Sequence, residues 1–287
     1  MWNLINIPKI VHFYWGRTPL SFLRYLSVAS FAKFNPDWDI RIYRVVESQK
    51  VDCKSWDSGE HNTSVFVKDD YFDWLYKIKN VNIINYTFPD NIAHWNDVQK
   101  SDYLRVILLY NTGGLWSDFD ILYARPIINL SANHHQNSKY CVLIICHSEK
   151  IHFTGHSIGF LGSMAGNTLL HPIMHSIINS CNNDNYQSIG CILWNAHLNL
   201  GQIQGAGRSV INLETDSFYL FNCTTIGNSI GNRSGPIGEG VLGERNIGIH
   251  WYAGDVKMGG YCSTIDHTNY HLMGKLYTSI IDHVLDK

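Results

Sequence analysis

The sequence predicts an α/β fold with a mixed, mostly parallel central sheet flanked by helices, and three observations carry that expectation. Residues 10–15, Ile-Val-His-Phe-Tyr-Trp, form a short apolar run of β-forming side chains. Residues 39–46 alternate polar and apolar as a strand does, and residues 20–34 between the two runs read as a helix. Strand, helix and strand in that order open a parallel-paired unit. Farther on, a helix over 97–111 stops at Gly113-Gly114 and passes at once into a strand over 115–123.

Each remaining element follows from local pattern. Gly16 and Pro19 punctuate the end of the first strand. Residues 47–65 read as a polar loop and 68–79 as a helix with aromatic anchors. In the 97–111 helix, Leu104, Val106, Ile107, Leu108 and Leu109 make a broad apolar face. Residues 140–147 read as a buried central strand. Helices are expected over 171–181 and 187–199. The stretch 201–262 is glycine-rich, with short strands near 209–213, 217–221 and 247–252, and an amphipathic helix covers 269–285. No repeat or linker interrupts the chain, which predicts one domain over 1–287.

Composition narrows the function. A chain of 287 residues with 45% hydrophobic and 13% aromatic side chains is neither disordered nor a small disulfide scaffold. Lys plus Arg number 22 against 24 Asp plus Glu, a net charge of −2, so no global basic field holds nucleic acid. Seven cysteines without a CxxC pair suggest reduced thiols, not a zinc site or disulfide framework. The N-terminal MWNLINIPKI lacks the pattern of a signal peptide. Apolar runs such as 106–110 and 141–146 are too short to span a bilayer, so no transmembrane segment is expected.

The chemistry concentrates in Ser101-Asp102-Tyr103-Leu104-Arg105 and Gly113-Gly114-Leu115-Trp116-Ser117-Asp118-Phe119-Asp120. Asp102 and Arg105, three apart on a helix, share a face. Asp118 and Asp120, two apart on the expected strand, point to one side. Three carboxylates and a guanidinium then meet near the carboxyl end of a strand, the edge where open α/β sheets bind ligands. Two carboxylates on one side repel unless a cation joins them, and Mn²⁺ or Mg²⁺ suits that donor type and shares its shell with phosphate oxygens. An ordinary strand-end pair plus a surface ion pair is the alternative, but it leaves the double glycine unexplained.

These motifs resemble the family 32 type of DxD glycosyltransferases, relatives of capsular polysaccharide enzymes and of the glucosyltransferase domain of clostridial toxins. The residues carrying the resemblance are Ile7-Pro8-Lys9-Ile10-Val11-His12-Phe13-Tyr14-Trp15, then Ser101-Asp102, Arg105, Leu109, Gly113-Gly114, Trp116, Asp118 and Asp120. They cover residues 7 to about 125; beyond, the match is loose, and Trp116 stands where the family usually has Tyr. After Ile249-His250-Trp251 the chain has Asp255-Val256 in place of the family's Ser-Trp pair.

The resemblance implies a GT-A type, Rossmann-like nucleotide-sugar-binding domain. Residues 1–125 would be its nucleotide-sugar and metal-binding half, and 126–287 its acceptor side and closing loops. The implied reaction moves a sugar from a nucleotide-sugar donor to a glycan or other hydroxyl acceptor with retention. UDP-sugar is the favoured donor and GDP-mannose the second. Asp118, Asp120 and Arg105 are the implied catalytic residues. Donor contacts fall to Trp15, Tyr14, Asp102, Arg105, Asp118 and Lys257, with Trp15 either stacking on the base or packing in the core. The metal, Mn²⁺ or Mg²⁺, falls to Asp118, Asp120 and His250, with His250 either a ligand or structural. Segment 236–262, dense in glycine, is expected to fold over the donor. Family members without an anchor imply a cytoplasmic enzyme of bacterial or viral type, in host cytoplasm for a virus. A catalytically silent binding protein is the alternative; a phosphotransferase would want a GxxxxGK[ST] loop, which is absent.

Overall fold

The computed structural model describes residues 6–50, 67, 69–130, 142–148, 155–182, 185, 187–198, 209–222, 226, 242–243 and 245–286. Its centre is a seven-stranded sheet built from β1 (Ile10–Trp15), β2 (Asp39–Val45), β3 (Val81–Tyr86), β4 (Gly114–Ser117), β6 (Leu143–Ser148), β7 (Gly155–Ser163) and β8 (Val210–Asn212). The order is β3-β2-β1-β4-β7-β6-β8. The pairs β3–β2, β2–β1, β1–β4 and β6–β8 are parallel, while β7 runs antiparallel to both β4 and β6. This is the expected mixed, mostly parallel sheet flanked by helices. A second sheet pairs β5 (Ile121–Tyr123) with β9 (Gly248–His250).

Helix α1 (Phe22–Phe34) starts at Ser21, whose side chain accepts from Arg24 N. Helix α2 (Asp97–Asn111) starts with a capping box between Asn96 and Gln99. The other α-helices are α3 (His171–Ser180), α4 (Cys191–His197), α5 (Val256–Thr264) and α6 (Lys275–Val284). Along β1, Val11, Phe13 and Trp15 face the layer holding α1, and Tyr14 faces the layer holding α2 and α3. On its outer side α1 packs against the C-terminal residues Trp251, Met258, Tyr277 and Ile281.

Several expectations need correction. Residues 68–79 hold a 3₁₀ turn, Phe72–Lys77, where a helix was expected. The strand expected over 115–123 divides into β4 and β5, with residues 118–120 in the intervening turn. Near 217–221 there is a 3₁₀ turn, Thr215–Ser217, followed by buried Phe218 and Tyr219, so the apolar pair signalled burial and no strand. The last helix breaks at Gly274, φ 94°, into a 3₁₀ turn and α6. Helix α4 is shorter than 187–199. Strands β3 and β7 and helix α5 were not anticipated. Most of the polar loop, 51–66, and residues 236–241 and 244 of the expected closing segment lie outside the described residues.

Two backbone junctions place the site. Gly113 (φ 72°) and Gly114 (φ 102°) turn the end of α2 into β4. A Cβ on Gly114 would lie 2.5 Å from Ile10 O, and one on Gly113 would lie 2.7 Å from Ala165 N. At the other end of α2, a Cβ on Gly16 would strike the Asp97 carboxylate, which accepts from the Tyr14 hydroxyl at 2.5 Å. Glycine at these places lets α2 lie against the β1–β4 seam.

His12 locks the same seam. It is fully buried, with Nδ1 3.2 Å from the Tyr43 hydroxyl and Nε2 2.8 Å from Gly113 O. Burial drives its pKa down to about 4. The unfolded chain, with an ordinary histidine near 6.5, therefore binds one more proton between those values. Stability should rise with pH through that window, by up to about 1.4 kcal/mol per pH unit from this group. Urea unfolding of the wild type and His12→Gln from pH 4.5 to 7.5 measures it; the variant should show a shallower slope.

Candidate active site

The strand order reverses between β1 and β4, where the chain has built leftward through β2 and β3 and then crosses over α2. The carboxyl ends of these two strands carry Trp15 and Ser117, and Asp118 follows directly. The Asp118 N–H donates to Gly159 O at 2.8 Å, which pins the turn to β7.

Arg105 organises the acidic cluster. It is buried to 3% exposure and lies 3.1 Å from Asp102 Oδ1 and 3.0 Å from Asp118 Oδ1. Its other donors reach Ile158 O at 2.6 Å and Ser101 Oγ at 3.3 Å, and its plane lies over the Trp116 ring. The Trp116 indole N–H donates to the same Asp118 Oδ1 at 2.7 Å. Trp116 thus holds Asp118 by a hydrogen bond as well as lying under Arg105. Burial pushes Asp102 up to about 7 against the pull of Arg105, with Asp118 adding to the rise. Burial raises Asp118 as well, again opposed by Arg105.

Asp118, Asp120 and His250 come together from the β4–β5 turn and from β9, each offering a ligand atom within 4.8 Å of the others. The two aspartates converge because of the turn, not because of the strand alternation expected from their spacing. Asp120 Oδ2 accepts from Ala253 N at 3.0 Å, and Asp120 O accepts from Trp251 N at 2.8 Å. His250 Nε2 stands 3.2 Å from Asp120 Oδ1. His250 N donates to Phe218 O at 2.7 Å, and its ring packs between Tyr219 and Tyr252. Tyr252 has φ 51°, a left-handed conformation uncommon for a tyrosine and located one residue past Trp251.

Two observations show that this set fits a cation. Asp120 Oδ1 and His250 Nδ1 are buried without a hydrogen-bond partner. A Cβ at Gly159 would sit 3.2 Å from both Asp118 Oδ2 and His250 Nε2, so glycine there keeps the space between the ligands open. Two carboxylates with one imidazole suit Mn²⁺ or Mg²⁺, and the nitrogen favours Mn²⁺.

The remaining expected donor contacts lie elsewhere in the packing. Trp15 is 1% exposed, tilted on Phe119, with Arg24 4.7 Å over its ring and the indole N–H on Thr18 O at 2.8 Å. Tyr14 is buried in the opposite layer, and burial together with Asp97 pushes its hydroxyl pKa up. Lys257 lies in the first turn of α5, and its side chain is outside the described residues. Gly159 and the Ala253 N–H are site features that sequence reasoning missed, and Trp116, although part of the motif, was given no role there.

Residues 24–141 match the family model described as a glycosyltransferase sugar-binding region containing a DXD motif. That span holds Asp102, Arg105, Asp118 and Asp120; Trp15 and His250 fall outside it. Among solved structures, the PaToxG glycosyltransferase aligns at 15% identity and TM-score 0.45, over 67% of this chain and 70% of that one. The apo glycosyltransferase GlyE of Streptococcus pneumoniae TIGR4 aligns at 12% identity and TM-score 0.49, over 97% of this chain and 63% of that one. The galactosyltransferase LgtC, solved with donor and acceptor sugar analogs, aligns at 13% identity and TM-score 0.40, over 90% and 98% respectively. No curated protein matches the chain. Among the described residues no helix is long and apolar enough to cross a membrane.

Arg105→Ala removes the one cation that, among the described residues, bridges Asp102 and Asp118. Leaving a buried carboxylate uncompensated should cost about 3 kcal/mol or more. Urea unfolding at pH 8 measures the loss, which Asp102→Asn in the same chain should partly restore.

Proposed function

We propose that the chain is a metal-dependent glycosyltransferase that moves a sugar from a nucleotide-sugar donor to a glycan or other hydroxyl acceptor. The convergence of Asp118, Asp120 and the Nε2 side of His250, with the buried Asp120 Oδ1 making no hydrogen bond, carries this reading. UDP-sugar is the favoured donor and GDP-mannose the second, and retention is the favoured outcome. A cytoplasmic enzyme contributing to a surface glycan is the corresponding cellular reading.

Mn²⁺ held by Asp118, Asp120 and His250 would supply Lewis-acid neutralisation of the leaving diphosphate. The protein's own part is positioning and charge. Asp102, held by Arg105, accepts hydrogen bonds from donor-sugar hydroxyls. The Arg105 guanidinium, fixed by Ile158 O and Trp116, offers positive charge on the diphosphate side without reorganising. The Trp116 N–H keeps Asp118 Oδ1 turned away, which leaves Oδ2 for the ligand. Trp15 ends β1 beside this corner and stacks on the base once Arg24 leaves its ring.

A panel of radiolabelled nucleotide sugars with Mn²⁺ tests the proposal: transfer supports it, while binding without turnover favours a silent binding protein. Asp120→Ala and Asp120→Asn should each lower kcat by roughly 100-fold or more, about 3 kcal/mol, with the fold intact. Near-normal activity in either variant would remove the metal assignment. Trp15→Ala should raise the donor KM by roughly 1–3 kcal/mol of lost stacking, with a smaller change in kcat. A thermal melt of that variant separates lost stacking from lost packing, since the ring is buried.

A further inference from the structure

On the surface far along the chain from the carboxylate cluster, α3 carries two exposed histidines one turn apart, His171 and His175. Their Nε2 atoms lie 2.8 Å apart, and the rings meet edge to face at 87° with centroids 4.2 Å apart. We propose that this pair is a binding site for a late first-row divalent cation, Cu²⁺ foremost and Ni²⁺ next.

The geometry argues for it in three steps. Two histidines at i and i+4 on one helix face are the arrangement that lets two imidazoles share one metal. Metal–nitrogen bonds of about 2.1 Å place two cis nitrogens about 3.0 Å apart at 90°, and about 3.4 Å apart at the tetrahedral angle. The observed 2.8 Å lies nearer the cis spacing than the tetrahedral one, and two imidazoles bind Cu²⁺ ahead of the other divalent first-row ions.

The pair is also held in place before any cation arrives. Ile173 and Ile177 on the same helix are fully buried, so α3 is anchored by its apolar face. The His171 ring stacks on Tyr110 of α2, with planes 26° apart, which limits its rotation. At present the two rings can share a single proton between the Nε2 atoms, and the cation would take that proton's place.

Its ligands distinguish this site from the DxD site. Oxygen-rich Asp118, Asp120 and His250 suit a hard ion, whereas two imidazoles suit a borderline one. Between His171 and His175 lie Pro172, Ile173 and Met174, with no glutamate of the kind that activates water in helical zinc sites. A binding site with open positions for water or a partner's ligand follows, not a hydrolytic centre.

The test is Cu²⁺ titration of the untagged chain by calorimetry and by electron paramagnetic resonance, comparing wild type, His171→Gln, His175→Gln and Asp120→Ala. Both helix positions are exposed, and matching melting curves confirm that the variants fold. The expected result is a tight equivalent with a tetragonal spectrum showing two nitrogen couplings, weakened at least tenfold by either glutamine and retained in Asp120→Ala. Unchanged Cu²⁺ affinity in the two glutamine variants, or loss of the equivalent in Asp120→Ala, would overturn the assignment. Because the Asp120 variant also reports on the proposed transferase, failure of one reading leaves the other measurable.

Discussion

A guanidinium sealed inside the protein between carboxylates sets the conditions for everything around it. Arg105 cannot lose its proton, and burial makes each neighbouring carboxylate resist ionisation. The fork is held at its tip: Nη2 faces Asp102, Asp118 and Ser101, and Nη1 donates to the Ile158 carbonyl, while Nε is buried without a partner. Those partners come from one helix, the β4–β5 turn and β7, so a single side chain ties together three elements that the sheet brings side by side.

The sheet makes that meeting possible by changing direction at β4. On one side β4 continues the parallel half through β1, with Val11 opposite Leu115. On the other it faces β7 antiparallel, with Ser117 opposite Phe160. Antiparallel pairing brings the middle of β7 beside the carboxyl end of β4, which is where Gly159 and Ile158 are needed. A bulkier residue at 159 would fill the space beside Asp118 and His250, and one at 162 would press on Leu115 and Ile144.

Much of this was legible in the residues. The helix over 97–111 was readable from its apolar face and from the glycine pair that stops it, and the structure adds the capping box of Asn96 and Gln99 at its start. Strands β1 and β2 were readable because both run through the interior of the sheet with β-forming side chains. β3 was passed over because Asn82 and Asn85 interrupt its pattern; as an edge strand it turns both into solvent. β7 was passed over because its glycines, which weaken a strand signal, are there to admit neighbours. The aspartate pair was identified by type and spacing, but the reason first given for its convergence was wrong: a turn, not strand alternation, aims both carboxylates. His250 was legible as a candidate ligand, while the hydrogen bond from the Trp116 N–H to Asp118 depends on a turn that the spacing does not reveal.

The pairing of β5 with β9 has a consequence for the order of events during folding. The contact between Asp120 and Ala253 spans 133 positions. Closing a loop of that length costs about 4 kcal/mol of chain entropy before any contact repays it. The parallel half of the sheet and the Arg105 cluster's helix can gather from nearby sequence, but the imidazole arrives only when the far end of the chain docks. At the proposed cation site, affinity would therefore report on completion of the tertiary structure: a partly assembled chain holds both carboxylates and still lacks the imidazole, which under that reading puts metal capture at the last stage of maturation.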